Sequence, residues 1–143
     1  MPADERKITE DDIRAFGLFE RVTHARPKDF VKLEDRIVFV VEPGQLKRAL
    51  GPQASSLQKL KDLFERPVDI VEFDEQPEVF LRNIFHQYEV SNVVLSEKGG
   101  RKHATVTVKP EEKGRAIGKG GRNLKVAQML ASRHTDLQSV SVA

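Results

Sequence analysis

Between residues 115 and 125 the chain reads Arg-Ala-Ile-Gly-Lys-Gly-Gly-Arg-Asn-Leu-Lys, a run dense in glycine and cations. Apolar spacing places a short helix before Gly118 and a longer one from Arg122, so Gly118-Lys119-Gly120-Gly121 joins two helices. Three of those four residues lack a Cβ, which lets the backbone of another chain come close. A helix starting there presents N–H groups that have no intrahelical acceptor, and the positive end of its dipole favours an anion. Arg115, Lys119, Arg122 and Lys125 add full positive charges around the same corner. The chemistry this pattern suits is capture of a phosphate.

Spacing narrows which phosphate. A mononucleotide P-loop needs G-x-x-x-x-G-K-[ST], but Gly114 to Lys119 is one residue short and Gly120 stands where a magnesium-binding hydroxyl belongs. A dinucleotide fold puts its glycines between a strand and a helix, not between two helices. A helix-GxxG-helix element beside a small sheet suits a single-stranded nucleic acid, its backbone held by the loop and its bases in an apolar groove. Catalysis finds no support: His24, His86, His103 and His134 lack metal-ligand spacing, and Asp11-Asp12 and Glu111-Glu112 sit near helix starts, where the macrodipole accounts for them. No enzyme activity, cofactor or metal is expected. Aromatic content is 6%, so base stacking on a sheet surface is not expected to dominate, and affinity should fall with added salt.

The whole chain has 143 residues, 38% hydrophobic and 32% charged, enough apolar content for real cores in one ordinary domain or two small ones. Cysteine is absent, which excludes a disulfide scaffold, a thiolate metal site and a Cys nucleophile. The longest apolar runs, such as Ile37 to Val41, fall far short of a bilayer span of roughly 20 residues, and the N-terminus lacks an apolar signal core. A cytoplasmic protein with no membrane partner is expected. The net charge of +2 hides an asymmetry. Residues 1 to 76 carry 13 Lys+Arg against 16 Asp+Glu, a net of −3, while residues 77 to 143 carry 11 against 6, a net of +5. A polyanion should therefore bind the second half.

Sliding the chain by 67 positions exposes an internal repeat. Val41 and Pro43 fall on Val108 and Pro110, Arg48-Ala49-Leu50-Gly51 on Arg115-Ala116-Ile117-Gly118, Leu57 on Leu124, and Asp69 on Asp136. Each copy reads helix, strand, strand, helix, helix, strand. In the first, Thr9 and Asp12 suggest a capping box, with Ile8 and Ile13 at staple positions, before a helix through about residue 19. Strands over 29–33 and 36–41, helices around Leu46 to Leu50 and from Ser55, and a strand over 68–73 follow. The second copy is predicted to have a helix over 78–88, strands over 90–97 and 102–109 joined by Gly99-Gly100, a short helix from Pro110, a long one from Arg122, and a last strand over 137–142. The fold class expected is α+β, with helices on one face of each three-stranded sheet and domains spanning 1–74 and 75–143.

Ile117-Gly118-Lys119-Gly120-Gly121-Arg122-Asn123-Leu124 resembles the I-G-x-x-G-x-x-[IL] signature of KH domains, and the helix-first order resembles their type II form. With His86-Gln87-Tyr88-Glu89-Val90 between the two copies, nearly the whole chain is similar to short archaeal NusA-like transcription termination factors. That resemblance implies single-stranded RNA binding and a part in transcription termination or antitermination. It maps the clamp onto Gly118, Lys119, Gly120 and Gly121, with Ile117 and Leu124 toward the base groove and Arg122 and Lys125 toward phosphates. RNA polymerase is a partner of the family, but bacterial relatives carry an N-terminal polymerase-binding domain and an S1 domain for which this chain has no room. A monomer is expected. Type II KH units also occur in ribosome-assembly factors, and a KH fold kept as a scaffold for protein interaction is the alternative from another class.

The first copy departs from the pattern. Its loop reads Gly51-Pro52-Gln53-Ala54: the last glycine is replaced, the loop carries no charge, and Pro52 has no N–H to offer. Arg48 is retained and Ser55 stands in place of Arg122. Arg48, Gly51 and Gln53 are therefore expected to form a weaker RNA site or a scaffold.

Overall fold

A computed structural model describes residues 9–143, which divide between Asp74 and Glu75 into two compact units. In the first, Thr9 and Asp12 exchange backbone hydrogen bonds in a capping box that opens α1 (Glu10–Thr23). Ile13 is exposed, and its expected staple partner Ile8 lies outside the described residues. The helix runs a turn past its expected end at residue 19. Phe19 is fully buried, Thr23 Oγ1 donates to Phe19 O at 2.7 Å, and His24 turns into the left-handed region while its N–H bonds Glu20 O. These contacts hold the last turn, whose apolar periodicity alone is weak.

Next come β1 (Pro27–Lys32), β2 (Ile37–Val41), α2 (Leu46–Leu50), a 3₁₀ turn (Pro52–Ala54), α3 (Ser55–Phe64) and β3 (Val68–Glu72). β1 pairs with β2 antiparallel and β2 with β3 parallel, so α2 and α3 carry the crossover. Phe19 and Phe39 stack with centroids 4.4 Å apart, and Leu60, Ala49 and Ile70 close a core around them.

The second unit repeats the order: α4 (Pro77–Ile84), β4 (Val90–Lys98), β5 (Arg101–Val108), a 3₁₀ turn (Pro110–Glu112), α5 (Lys113–Ile117), another 3₁₀ turn (Lys119–Gly121), α6 (Arg122–His134) and β6 (Ser139–Val142). Again β4 and β5 are antiparallel and β5 and β6 parallel. Gly99 and Gly100 both take positive φ in the hairpin turn, as their type allows. Ala104, Val106 and Val108 enter the core while Thr105 and Thr107 alternate away from it. Both hairpins break register at the same point of the repeat, opposite Val41 and Val108.

In the second unit two boundaries differ from expectation by more than one residue. α4 ends at Ile84 rather than near Tyr88, because the chain leaves the helix through turns at His86 and Tyr88 whose N–H groups bond Asn83 O and Phe85 O. That exit frees Tyr88 to reach across to α5. β6 begins at Ser139, since Leu137 is spent as a buried core residue instead. Among the described residues, no helix is long and apolar enough to cross a membrane.

Candidate nucleic-acid interface

The Gly118–Gly121 corner is built as a kinked passage between α5 and α6. Gly118 leaves α5 at φ 82°, ψ 161°, Gly120 sits at φ 66° and Gly121 at φ 77°, all inaccessible to most L-residues without strain. The N–H groups of Gly121 and Arg122 are used inside the 3₁₀ turn, on Gly118 O and Lys119 O. Of the N–H groups expected to stand open at the start of α6, that of Arg122 is thus spent in the tight turn, as is that of Gly121 just before it. Among the described residues, no carbonyl is placed against the N–H of Lys119 or Gly120, and no side chain caps α6. The open part of the corner is its tip.

Beneath the tip lies a polar cluster. Asn123 Nδ2 donates to Arg115 O at 2.8 Å, and the Tyr88 hydroxyl donates to the same carbonyl at 3.0 Å while accepting from Asn123 Nδ2 at 3.3 Å. The backbone of Gly118 rests on that amide: a Cβ there would stand 3.0 Å from Asn123 Cγ and from Asn123 N. Glu112 accepts from the Glu89 N–H at 2.9 Å and meets the Arg115 guanidinium at 3.6 Å. Neither the type nor the spacing of Tyr88 and Asn123 marks them in the sequence as site residues. Asn123 falls at a variable position of the GxxG signature, and Tyr88, the chain's one tyrosine, falls where a helix was expected.

The expected phosphate ligands are distributed unevenly. Lys119, Lys125, Arg122 and Arg115 are all exposed on this corner. Arg115 is engaged by Glu112, and Arg122 Nε folds back onto Lys119 O at 3.3 Å, so among the described residues the side chains of Lys119 and Lys125 are the ones not turned back onto the loop or its neighbours. Ile117 and Leu124 are half-buried, each packed on the second core with part of its side chain left over. Ala127 is wholly core. Gln128 on α6 donates to Val140 O of β6 at 3.0 Å, tying the long helix to the neighbouring sheet edge.

The first loop follows the same path. Gly51 has φ 76°, ψ 171°, and Gln53 and Ala54 occupy the left-handed region at φ 53° and 59°, where Gly120 and Gly121 sit in the second copy. Two residues that disfavour this conformation hold it, at a cost of about 1–2 kcal/mol each. A Cβ on Gly51 would fall 2.5 Å from Ser56 Oγ and 2.9 Å from Ser56 N, so the first glycine is obligatory in both copies.

Of the hairpin cations, Lys102 is engaged: its Nζ is hydrogen-bonded to the Asp136 carboxylate. That bond holds Asp136 below the ordinary carboxylate value and Lys102 above its own. Lys98, Arg101 and Lys109 are exposed. His103 bridges the hydroxyls of Ser139 and Ser141, and His134 meets the Phe80 ring edge-on. Among the described residues, no His, Asp or Glu cluster could hold a metal ion.

A three-stranded mixed sheet backed by helices, with a glycine-rich corner between two of them, fits a KH-type fold. A family profile described as "NusA-like second KH domain" matches residues 77–143. A protein of Thermoplasma acidophilum named "Probable transcription termination protein NusA" is 30% identical over 142 residues, covering 99% of both chains. The protein of that name in Halobacterium salinarum is 32% identical, covering 95% of this chain and 97% of its own. The solved structure described as "Crystal structure of APE1850" shares 26% identity at a TM-score of 0.74, covering 95% of this chain and 100% of that one. The chain belongs to the archaeal NusA-like KH family.

Proposed function

We propose that the protein is a pair of tandem type II KH domains, residues 1–74 and 75–143, that binds single-stranded RNA on the nascent transcript and acts in transcription termination or antitermination. The observation that carries this reading is the corner at Gly118–Gly121. Among the described residues no backbone carbonyl accepts from the N–H groups of Lys119 and Gly120, while Lys119, Arg122 and Lys125 are exposed around them. Donors and cations arranged this way hold a sugar-phosphate backbone, and the exposed parts of Ile117 and Leu124 offer apolar contact to bases. The names of the relatives support the link to transcription. No covalent step is required of any residue, and binding alone is the activity. The first loop serves as a weaker contact through Arg48, Gly51 and Gln53: it keeps the shape but lacks charge, and Pro52 supplies no N–H.

The test is Lys119→Asp with Gly120→Asp, checked for folding by circular dichroism, with a panel of labelled single-stranded RNAs and DNAs titrated at two salt concentrations. A loss of at least tenfold in RNA affinity is expected. Undiminished affinity would remove the corner from the function, and no binding by the unaltered protein would favour a scaffold that recruits other proteins. The Asp substitutions at Gln53 and Ala54 should cost distinctly less.

A further inference from the structure

We propose that Tyr88 and Asn123 form a latch that positions the RNA-binding corner without touching RNA; this rests on the reading of Gly118–Gly121 as the site. α5 has only five residues, and its last carbonyls point toward the loop at which a phosphate would arrive. An uncompensated carbonyl there would repel the anion that the tip attracts. Arg115 O receives two donors, Tyr88 Oη at 3.0 Å and Asn123 Nδ2 at 2.8 Å, and the two donors are themselves bonded to each other. The pair both neutralises that carbonyl and fixes the approach of α5 to the first turn of α6. Gly118 sits directly on the Asn123 amide, so the amide also sets the depth of the passage from which the tip projects.

A second observation separates the latch from ordinary stabilisation. Among the described residues, no group donates a hydrogen bond to the buried Asn123 Oδ1. A buried amide oxygen without a donor carries a desolvation cost, which makes Asn123 a poor choice for stability alone. The first copy closes the equivalent approach with the smaller Ser56 and has Arg21 where the repeat places Tyr88. The latch is thus present in the copy that retains its glycines and charged loop, and absent from the other.

The experiment compares Tyr88→Phe, Asn123→Ser and their combination with Lys119→Asp/Gly120→Asp, measuring unfolding midpoint, RNA affinity across salt, and amide NMR shifts of Gly118, Gly120 and Gly121 in the free protein. Each latch variant should weaken RNA binding about fivefold to tenfold, the double no more than about twice the worse single, because one network is lost. The salt slope should stay that of the parent, since no charge is removed, and the three glycine amides should shift while the midpoint for Asn123→Ser holds or rises. Parental affinity and parental glycine shifts in both single variants would overturn the latch. A midpoint that falls in step with affinity in Asn123→Ser, with the loop shifts unchanged, would overturn it too, leaving a merely structural role. If the Lys119→Asp/Gly120→Asp protein binds RNA normally, the reading of the site fails, and the glycine shifts still judge whether the latch sets the loop.

Discussion

Gly118 and Gly120 belong to one loop but are glycine for different reasons. A Cβ on Gly118 would strike the backbone of Asn123 at 3.0 Å, whereas the space around Gly120 is open and only its φ of 66° disfavours a side chain. Gly118→Ala should therefore cost about 2–3 kcal/mol by urea unfolding and Gly120→Ala about 1 kcal/mol. The reverse experiment is available in the first copy. Ala54→Gly relieves about 1–2 kcal/mol of left-handed strain and adds about 0.4–1 kcal/mol of chain entropy to the unfolded state, so stability should rise by about 0.5–1 kcal/mol. A fall in the midpoint would show that Ala54 is held there without strain.

At the scale of elements, two devices hold structure that periodicity alone would leave loose. The Thr9 capping box closes the start of α1, and Thr9→Ala should lower stability by about 1 kcal/mol in thermal or urea unfolding. The Lys102–Asp136 bond joins β5 to the turn before β6. Asp136 titrates below its unfolded value, so its contribution is full above the ordinary aspartate range and lost as pH falls through the folded value. Lys102 titrates above its unfolded value, so its contribution is full below the ordinary lysine range and lost as pH rises through the folded value. Asp136→Asn should flatten both limbs of the stability-pH profile between pH 2 and 12, by a small amount because the pair is exposed.

For the molecule as a whole, the distribution of charge matters more than its sum. A net of −3 in residues 1 to 76 and +5 in residues 77 to 143 means that, on the proposed function, a polyanion should meet the second unit. If Lys119, Arg122 and Lys125 each neutralise one phosphate, log affinity should fall with log salt at a slope of about −2, and Lys119→Gln should make it shallower by about 0.7. A slope unchanged in that variant would mean that Lys119 does not meet RNA.

The repeat, the order of elements, the hairpin at Gly99-Gly100 and the cationic glycine corner were all legible in the chain, because turn glycines, apolar period and charge are local properties written one residue at a time. Four things were not. The early end of α4 was hidden because Tyr88 continues a helical pattern, yet its hydroxyl is drawn to a carbonyl 27 residues away. The shape of the first loop was hidden because Gln53 and Ala54 forbid by propensity what the surrounding crossover imposes. The use of two loop donors inside a 3₁₀ turn, and the two-donor closure on Arg115 O, depend on where separate segments meet. Local composition determined which corner is positive and open; only packing between distant segments decided how wide it is and which atoms remain free to bind.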